Sequence, residues 1–116
     1  MDLRAAVQKH AEWKIRFREA ITKKALMDAA KISRDDCCEI GMWLHSEGGK
    51  QFGQLPAFVD CKDKHAVFHK EAGQIALAIN AKDFAKADEL LRGQAYNNAS
   101  AAVGVALTTL RLTAKL

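Results

Sequence analysis

The 116-residue sequence predicts an all-α fold, a four-helix bundle with one short helix among the long ones. Helix-breaking residues are concentrated in one place: the single proline is Pro56, and Gly41, Gly48, Gly49 and Gly53 precede it. Residues 46 to 56 therefore read as the main interruption. Elsewhere apolar residues recur at steps of three and four, the period of a helix with one buried face. No alternating β-branched run bounded by turn residues occurs, which leaves nothing from which to build a sheet.

The first helix is expected from about Leu3 to Lys31, with Ala6, His10, Trp13, Phe17 and Ile21 on its inner stripe. Ser33 is placed to N-cap a shorter second helix, where Asp35 and Asp36 suit the positive end. That helix is expected to carry Cys38, Met42 and Trp43 inward and to stop at Gly48-Gly49. Pro56 suits the first turn of a third helix reaching about Asn80. Its stripe reads Phe58, Cys61, His65, Phe68, His69, Ala72, Ile75, Ala76, Ile79. Asp83 caps a fourth helix from Phe84 towards the C-terminus, in which Tyr96, Ser100, Val103, Leu107 and Leu110 alternate by four and three, as in a helix packed along another. The last residues, Lys115-Leu116, carry no glycine stop, as in a fragment of a longer protein or a frayed end.

Composition narrows the function classes. With 49% apolar and 28% charged residues the chain fits one globular domain with its own core, and its apolar runs are too short to cross a bilayer. The opening Met1-Asp2-Leu3-Arg4 lacks the pattern of a secretory signal, so a cytoplasmic location is expected. The net charge of +4 is spread over basic residues interleaved with acids, and the aromatic residues fall on buried stripes. That is a solvated surface and not a nucleic-acid platform. Three cysteines in such a chain are structural, ligating or redox-active rather than a disulfide framework. Cys37 and Cys38 diverge by about 100° on a helix, so only one of them faces the core.

His65 and His69 lie four residues apart on the third helix, so both imidazoles point inward from one face and can reach one ion. The other inward-facing ligand types are His10 on the first helix and Cys38 on the second. Three imidazoles and one thiolate suit tetrahedral zinc and close its coordination. A closed site points away from hydrolysis, which needs an open position for water. No glutamate lies between the histidines to act as a base, and no enzyme activity is expected.

His10 with Trp13, then Cys38-Glu39-Ile40-Gly41-Met42-Trp43, then His65-Ala66-Val67-Phe68-His69, resembles the signature of the chemoreceptor zinc-binding (CZB) family: a histidine, a Cys-x-apolar-Gly-x-aromatic box and a closing His-x-x-x-His. The gaps fit as well, with 27 residues between His10 and Cys38 and 26 between Cys38 and His65. Tyr96, Ser100, Val103 and Leu107 resemble the family's last helix, so the likeness spans nearly the whole chain. It implies a zinc site made by His10, Cys38, His65 and His69, and it assigns the thiolate to Cys38 and not Cys37. Gly41 would let helices approach beside the metal, with Ile40 and Trp43 shielding the sulfur.

Members of this family sit in bacterial signalling proteins, at the end of soluble chemoreceptors or beside a diguanylate cyclase, and form homodimers. The resemblance therefore implies that residues 1–116 are one sensory domain of a larger signalling protein. Its output module is absent: Glu47-Gly48-Gly49-Lys50-Gln51-Phe52 superficially resembles a cyclase box but lacks the acidic residues. Signalling is expected through zinc occupancy or through oxidation of the redox-active Cys38 thiolate by an oxidant such as hypochlorous acid. The alternatives are a zinc-stabilised structural dimerisation module, or the regulatory domain of a diguanylate cyclase. Of the remaining ligand types, His45 reads as an exposed histidine near a helix end and Cys61 as a small buried residue. Cys37 reads as a bystander, with a strained link to Cys38 the other possibility.

Overall fold

The computed structural model describes residues 1–116, which form seven helices and no strand. Helix α1 (Leu3–Lys23) starts at Asp2, whose carboxylate accepts from the Arg4 and Ala5 N–H groups at 3.0 and 3.2 Å. It buries Leu3, Ala6, His10, Phe17 and Ala20, while Trp13 and Ile21 are half-buried on the flank of the expected stripe.

α1 ends eight residues before the expected Lys31. Lys24 closes it in the left-handed conformation (φ 55°), with its N–H turned back to Ala20 and Ile21. Such a residue costs about 1–2 kcal/mol, so local preference does not place the stop. The Asn80 side chain, 53 residues further along the chain from Met27, supplies a reason. Its amide oxygen accepts from Met27 N–H at 2.8 Å and its amide nitrogen donates to Met27 C=O at 2.7 Å, holding residue 27 out of a helix. Asp28 then caps a single turn, α2 (Ala29–Ile32), by accepting from Lys31 N–H.

In place of the second expected helix stand two short ones. Ser33 closes α2 instead of opening a helix, its hydroxyl donating to Ala30 C=O at 3.0 Å. The next helix, α3 (Glu39–Leu44), is N-capped by Cys38 itself, whose sulfur accepts from Gly41 N–H at 3.3 Å. Ile40, Gly41 and Leu44 face inward, whereas Met42 is 54% exposed, contrary to expectation. Starting the helix five residues later than Ser33 predicts rotates the buried face away from Met42. Gly48-Gly49 does not stop the segment either; both lie inside α4 (Glu47–Phe52). The Trp43 ring occupies the place of a Gly48 side chain, 2.8 Å from where its Cβ would stand, so that glycine serves a close approach.

α5 (Pro56–Asn80) matches the expected bounds and has proline in its first turn. It is the spine of the bundle, burying eleven residues and packing on α1, α2, α3, α6 and α7. Asp83 caps α6 (Phe84–Arg92), as read from the sequence, but the last helix is broken at Gly93. The Asn97 side-chain amide donates to Leu91 C=O at 3.0 Å, in the last turn of α6, and to Gly93 C=O at 2.7 Å, which also accepts from the Asn97 backbone N–H, so one residue bridges the break. α7 (Gln94–Ala114) then runs along α5 with Tyr96, Val103, Leu107 and Leu110 buried. The long helices α1, α5 and α7, with α6, make the bundle, and α2 to α4 form its interrupted side.

The interrupted side is held close by glycine. A Cβ on Gly41 would overlap the Asp35 carbonyl oxygen and stand 2.8 Å from its carbon. Gly41→Ala is therefore expected to cost about 1–3 kcal/mol of stability, as overpacking does. Gly104 in α7 has nothing within 4 Å of such a Cβ, so Gly104→Ala should gain about 0.5–1 kcal/mol. Urea denaturation of both variants checks this pair of opposite signs.

Candidate metal centre

α5 presents His65 and His69 one turn apart, and α3 brings the Cys38 sulfur to them from its N-cap. The donor atoms converge: Cys38 Sγ lies 3.2 Å from His65 Nε2 and 3.4 Å from His69 Nε2, and the two Nε2 atoms are 3.1 Å apart. Both imidazoles are 1% exposed, and Cys38 is half-buried. Around a tetrahedral zinc, the usual bond lengths put two nitrogens about 3.3 Å apart and a nitrogen and a sulfur about 3.6 Å apart. The three observed separations fall short of these edges by a few tenths of an ångström, so an ion fits after a small outward movement of the side chains.

Proton positions favour the same use. His69 Nδ1–H donates to Ile32 C=O at 2.7 Å, which leaves its Nε2 as a bare lone pair aimed into the cluster. The acceptor is the terminal carbonyl of α2, which its own helix leaves free. His65 Nδ1 is buried without any hydrogen-bond partner. That places the ring proton of a ligating His65 on Nδ1 and leaves its Nε2 lone pair, like that of His69, turned to the Cys38 sulfur, a set of nitrogen and sulfur donors suited to one cation.

His10 stands outside this group. The three-donor cluster comprises Cys38, His65 and His69. His10 is buried beside it, its ring 4.2 Å from Phe68, with Nε2 hydrogen-bonded to Ser100 Oγ at 3.2 Å. A cavity of about 780 Å³ between α1, α2 and the start of α3 is lined by His10, Trp13, Ile32, Cys38 and His69, so His10 borders the same space. Trp13 closes one side, its ring edge-on to His69 at 5.8 Å.

The other sequence candidates are placed elsewhere. His45 is exposed at the end of α3 and bonds Asp35 Oδ2 at 3.2 Å. Cys61 is fully buried in the apolar core, where burial, and then Asp60, pushes its thiol up to about 11. The Cys37 thiol donates to Asp36 Oδ1 at 3.4 Å, half-buried on the cavity wall. Sequence reasoning missed the Ile32 carbonyl, the His10–Ser100 contact and Asp35, whose carboxylate favours the charged forms of His65 and His69. Only proximity across the fold reveals them.

Burial governs the protonation of the site. It lowers His65 to about 3, with His69 and then His10 adding to the effect, and lowers His10 to about 4, with His69 adding. His69 is also lowered, first by burial. The Cys38 thiol is pushed up by burial, against the N–H groups of Gly41 and Ile40 that face its sulfur.

These shifts set the acid behaviour of the metal-free protein. An unfolded histidine binds its proton near 6.5, whereas His10 does so only near 4 when folded, so between these values the unfolded chain holds more protons. Stability should be complete above pH 6.5 and fall progressively as the pH drops towards 4. Thermal unfolding across that range after chelation measures it; a flat profile contradicts the burial of neutral imidazoles.

The family model of the chemoreceptor zinc-binding domain matches residues 10–76, more than half of the chain. Comparison with curated proteins and with solved structures gives no significant match. The match begins at His10 and encloses Cys38, His65 and His69, and zinc is the metal that the family binds. A buried Cys-His-His cluster within that match completes the assignment: the chain belongs to the chemoreceptor zinc-binding domain family.

Proposed function

We propose that this chain is the zinc-binding sensory domain of a bacterial chemoreceptor, acting in the cytoplasm as one domain of a larger signalling protein. Its zinc is held by Cys38, His65 and His69, with His10 as the fourth ligand. The observation that carries this reading is the convergence of one sulfur and two imidazole nitrogens, from two helices, within 3.4 Å of one another. When bound, zinc keeps the Cys38 sulfur as a thiolate and ties its donors to fixed relative positions.

The side chains derive a signal from that tie. Cys38 is at once ligand and N-cap of α3, so any change at its sulfur is felt by the Gly41 N–H and by the start of the helix. Hypochlorous acid would transfer its oxygen to the thiolate, giving sulfenic acid at Cys38 and releasing chloride. The oxidised sulfur is a poorer ligand and a poorer cap, so α3 loosens from α5. The cavity beside Cys38, lined by Cys37 and Ile40, is wide enough to admit a small oxidant. Loss of zinc without oxidation would release the same contact.

The family's homodimeric habit is carried over as part of the proposal. Val105 and Leu112, 66% and 63% exposed and seven residues apart on α7, supply an outward apolar stripe in its support. No helix is long and apolar enough to cross a membrane, which accords with a soluble receptor. A purely structural zinc dimerisation module would hold its zinc too tightly to exchange and keep α3 in place under oxidant. A regulatory domain of a diguanylate cyclase would share the site and differ in the output module.

Competition against a chelator of known affinity, before and after mild hypochlorous acid treatment, tests the proposal. One zinc per chain is expected. Cys38→Ala and His65→Ala should each weaken binding by more than the roughly 10- to 100-fold that outer-shell changes cost. Oxidation should weaken binding of the wild type and leave Cys38→Ala unaffected. Unchanged affinity after Cys38 is oxidised sinks the redox arm and leaves zinc occupancy, or the structural module, as the reading.

A further inference from the structure

We infer that Cys37 is the resolving thiol of the centre: once Cys38 is oxidised, Cys37 closes a disulfide with it, so that oxidation of the site is reversible. This rests on the reading of Cys38 as the oxidised atom. The chain has three thiols, and the structure leaves one of them available to Cys38. Cys61 is fully buried in the apolar core, whereas Cys37 and Cys38 are both half-buried and both line the cavity beside α1. Neither of the pair is helical. The chain bends through them before α3 begins at Glu39, so the divergence of about 100° between helical neighbours does not hold their sulfurs apart.

Cys37 stands close to the centre without being one of its donors. It lies outside the three-donor group, and its thiol donates instead to Asp36 Oδ1 at 3.4 Å. Arg34 fixes that carboxylate by two hydrogen bonds, at 3.0 and 2.9 Å. A free thiol is thus held one residue from the ligating sulfur, facing the same cavity. The chemistry balances in two steps. Hypochlorous acid gives its oxygen to the Cys38 thiolate and leaves as chloride, which makes the sulfenic acid. The Cys37 sulfur then attacks the Cys38 sulfur; the S–S bond forms as the S–O bond breaks, and the thiol proton leaves with the hydroxyl as water. Each sulfur loses one electron, and the hypochlorous acid takes both.

Two properties of this link suit a signal. Across a trans peptide the two Cα atoms are about 3.8 Å apart, short of the roughly 4.4–6.8 Å usual for disulfides, so the bond is strained and easily reduced. It also draws the Cys38 sulfur away from His65 and His69 and from the Gly41 N–H, all now within 3.4 Å, and so removes a ligand and a helix cap together. Without Cys37 the sulfenic acid passes on to sulfinic and sulfonic acid, which thiols do not reverse.

Equimolar hypochlorous acid, added to the zinc-loaded protein and to a Cys37→Ser variant, tests the role. Intact mass of the wild type should show the loss of two hydrogens, and peptide mapping should place the link at residues 37 and 38. Dithiothreitol followed by fresh zinc should restore both the mass and the zinc content. Cys37→Ser should bind zinc as tightly as the wild type before treatment, which separates resolution from ligation. After treatment it should carry sulfenic, sulfinic or sulfonic acid at Cys38, and reduction should leave a fraction of its sites unable to take zinc. Oxygen adducts alone at Cys38 of the wild type, a disulfide between two chains, or equal recovery in Cys37→Ser overturns the role of Cys37. An unmodified Cys38 in the wild type instead removes the reading on which that role stands.

Discussion

The centre depends on how closely the chain between α2 and α3 lies against α5. Two glycines permit that approach: Gly73 on α5, where a Cβ would stand 2.6 Å from the Ser33 Cβ, and Gly41 on α3, pressed on the Asp35 backbone. One hydrogen bond ties the segment down, from His69 Nδ1 to the Ile32 carbonyl at 2.7 Å. This bond satisfies an open helix end and selects the tautomer that leaves His69 Nε2 free to ligate. The packing of the segment and the chemistry of the site are thus one constraint. A looser segment would leave Ile32 unpaired, His69 undirected and Cys38 out of reach.

Burial gives the site its character. Imidazoles in water are readily protonated, whereas here burial keeps them neutral far into acid, and burial also favours the protonated thiol at Cys38. Neutral histidines are ready ligands, so desolvation does much of the preparation before any ion arrives. The thiol is the exception and must lose its proton to ligate. Its position at the N-cap of α3 eases that loss, because the Gly41 and Ile40 N–H groups already point at the sulfur.

The same geometry places the site where several helices meet. Cys38 reports on α3, His69 on α2 through Ile32, and His10 on α1 and, through Ser100, on α7. A metal ion held at such a junction would tie several elements at once, as coupling occupancy to helix position requires. A site within one helix pair would stabilise that pair and report nothing further.

Helix content, the bounds of α5, the capping role of Asp83 and the inward histidines were legible in the sequence, because three- and four-residue periodicity and proline position are local signals. The Cys box and the paired histidines were equally legible, since ligand types at fixed spacing keep their meaning in a linear string. The end of α1 was not, because it hangs on Asn80, more than fifty residues away. Nor were the breaks in the second and last helices: Cys38 replaces Ser33 as a cap and the Asn97 amide bridges Leu91 and Gly93, contacts that compete with good local helical patterns. By itself, then, the sequence determined an all-α chain with a thiol and three imidazoles on its inner faces. Only the tertiary structure decided which of these converge and that His10 rests on Ser100, because a buried side chain takes its partner from whatever the packing brings within reach.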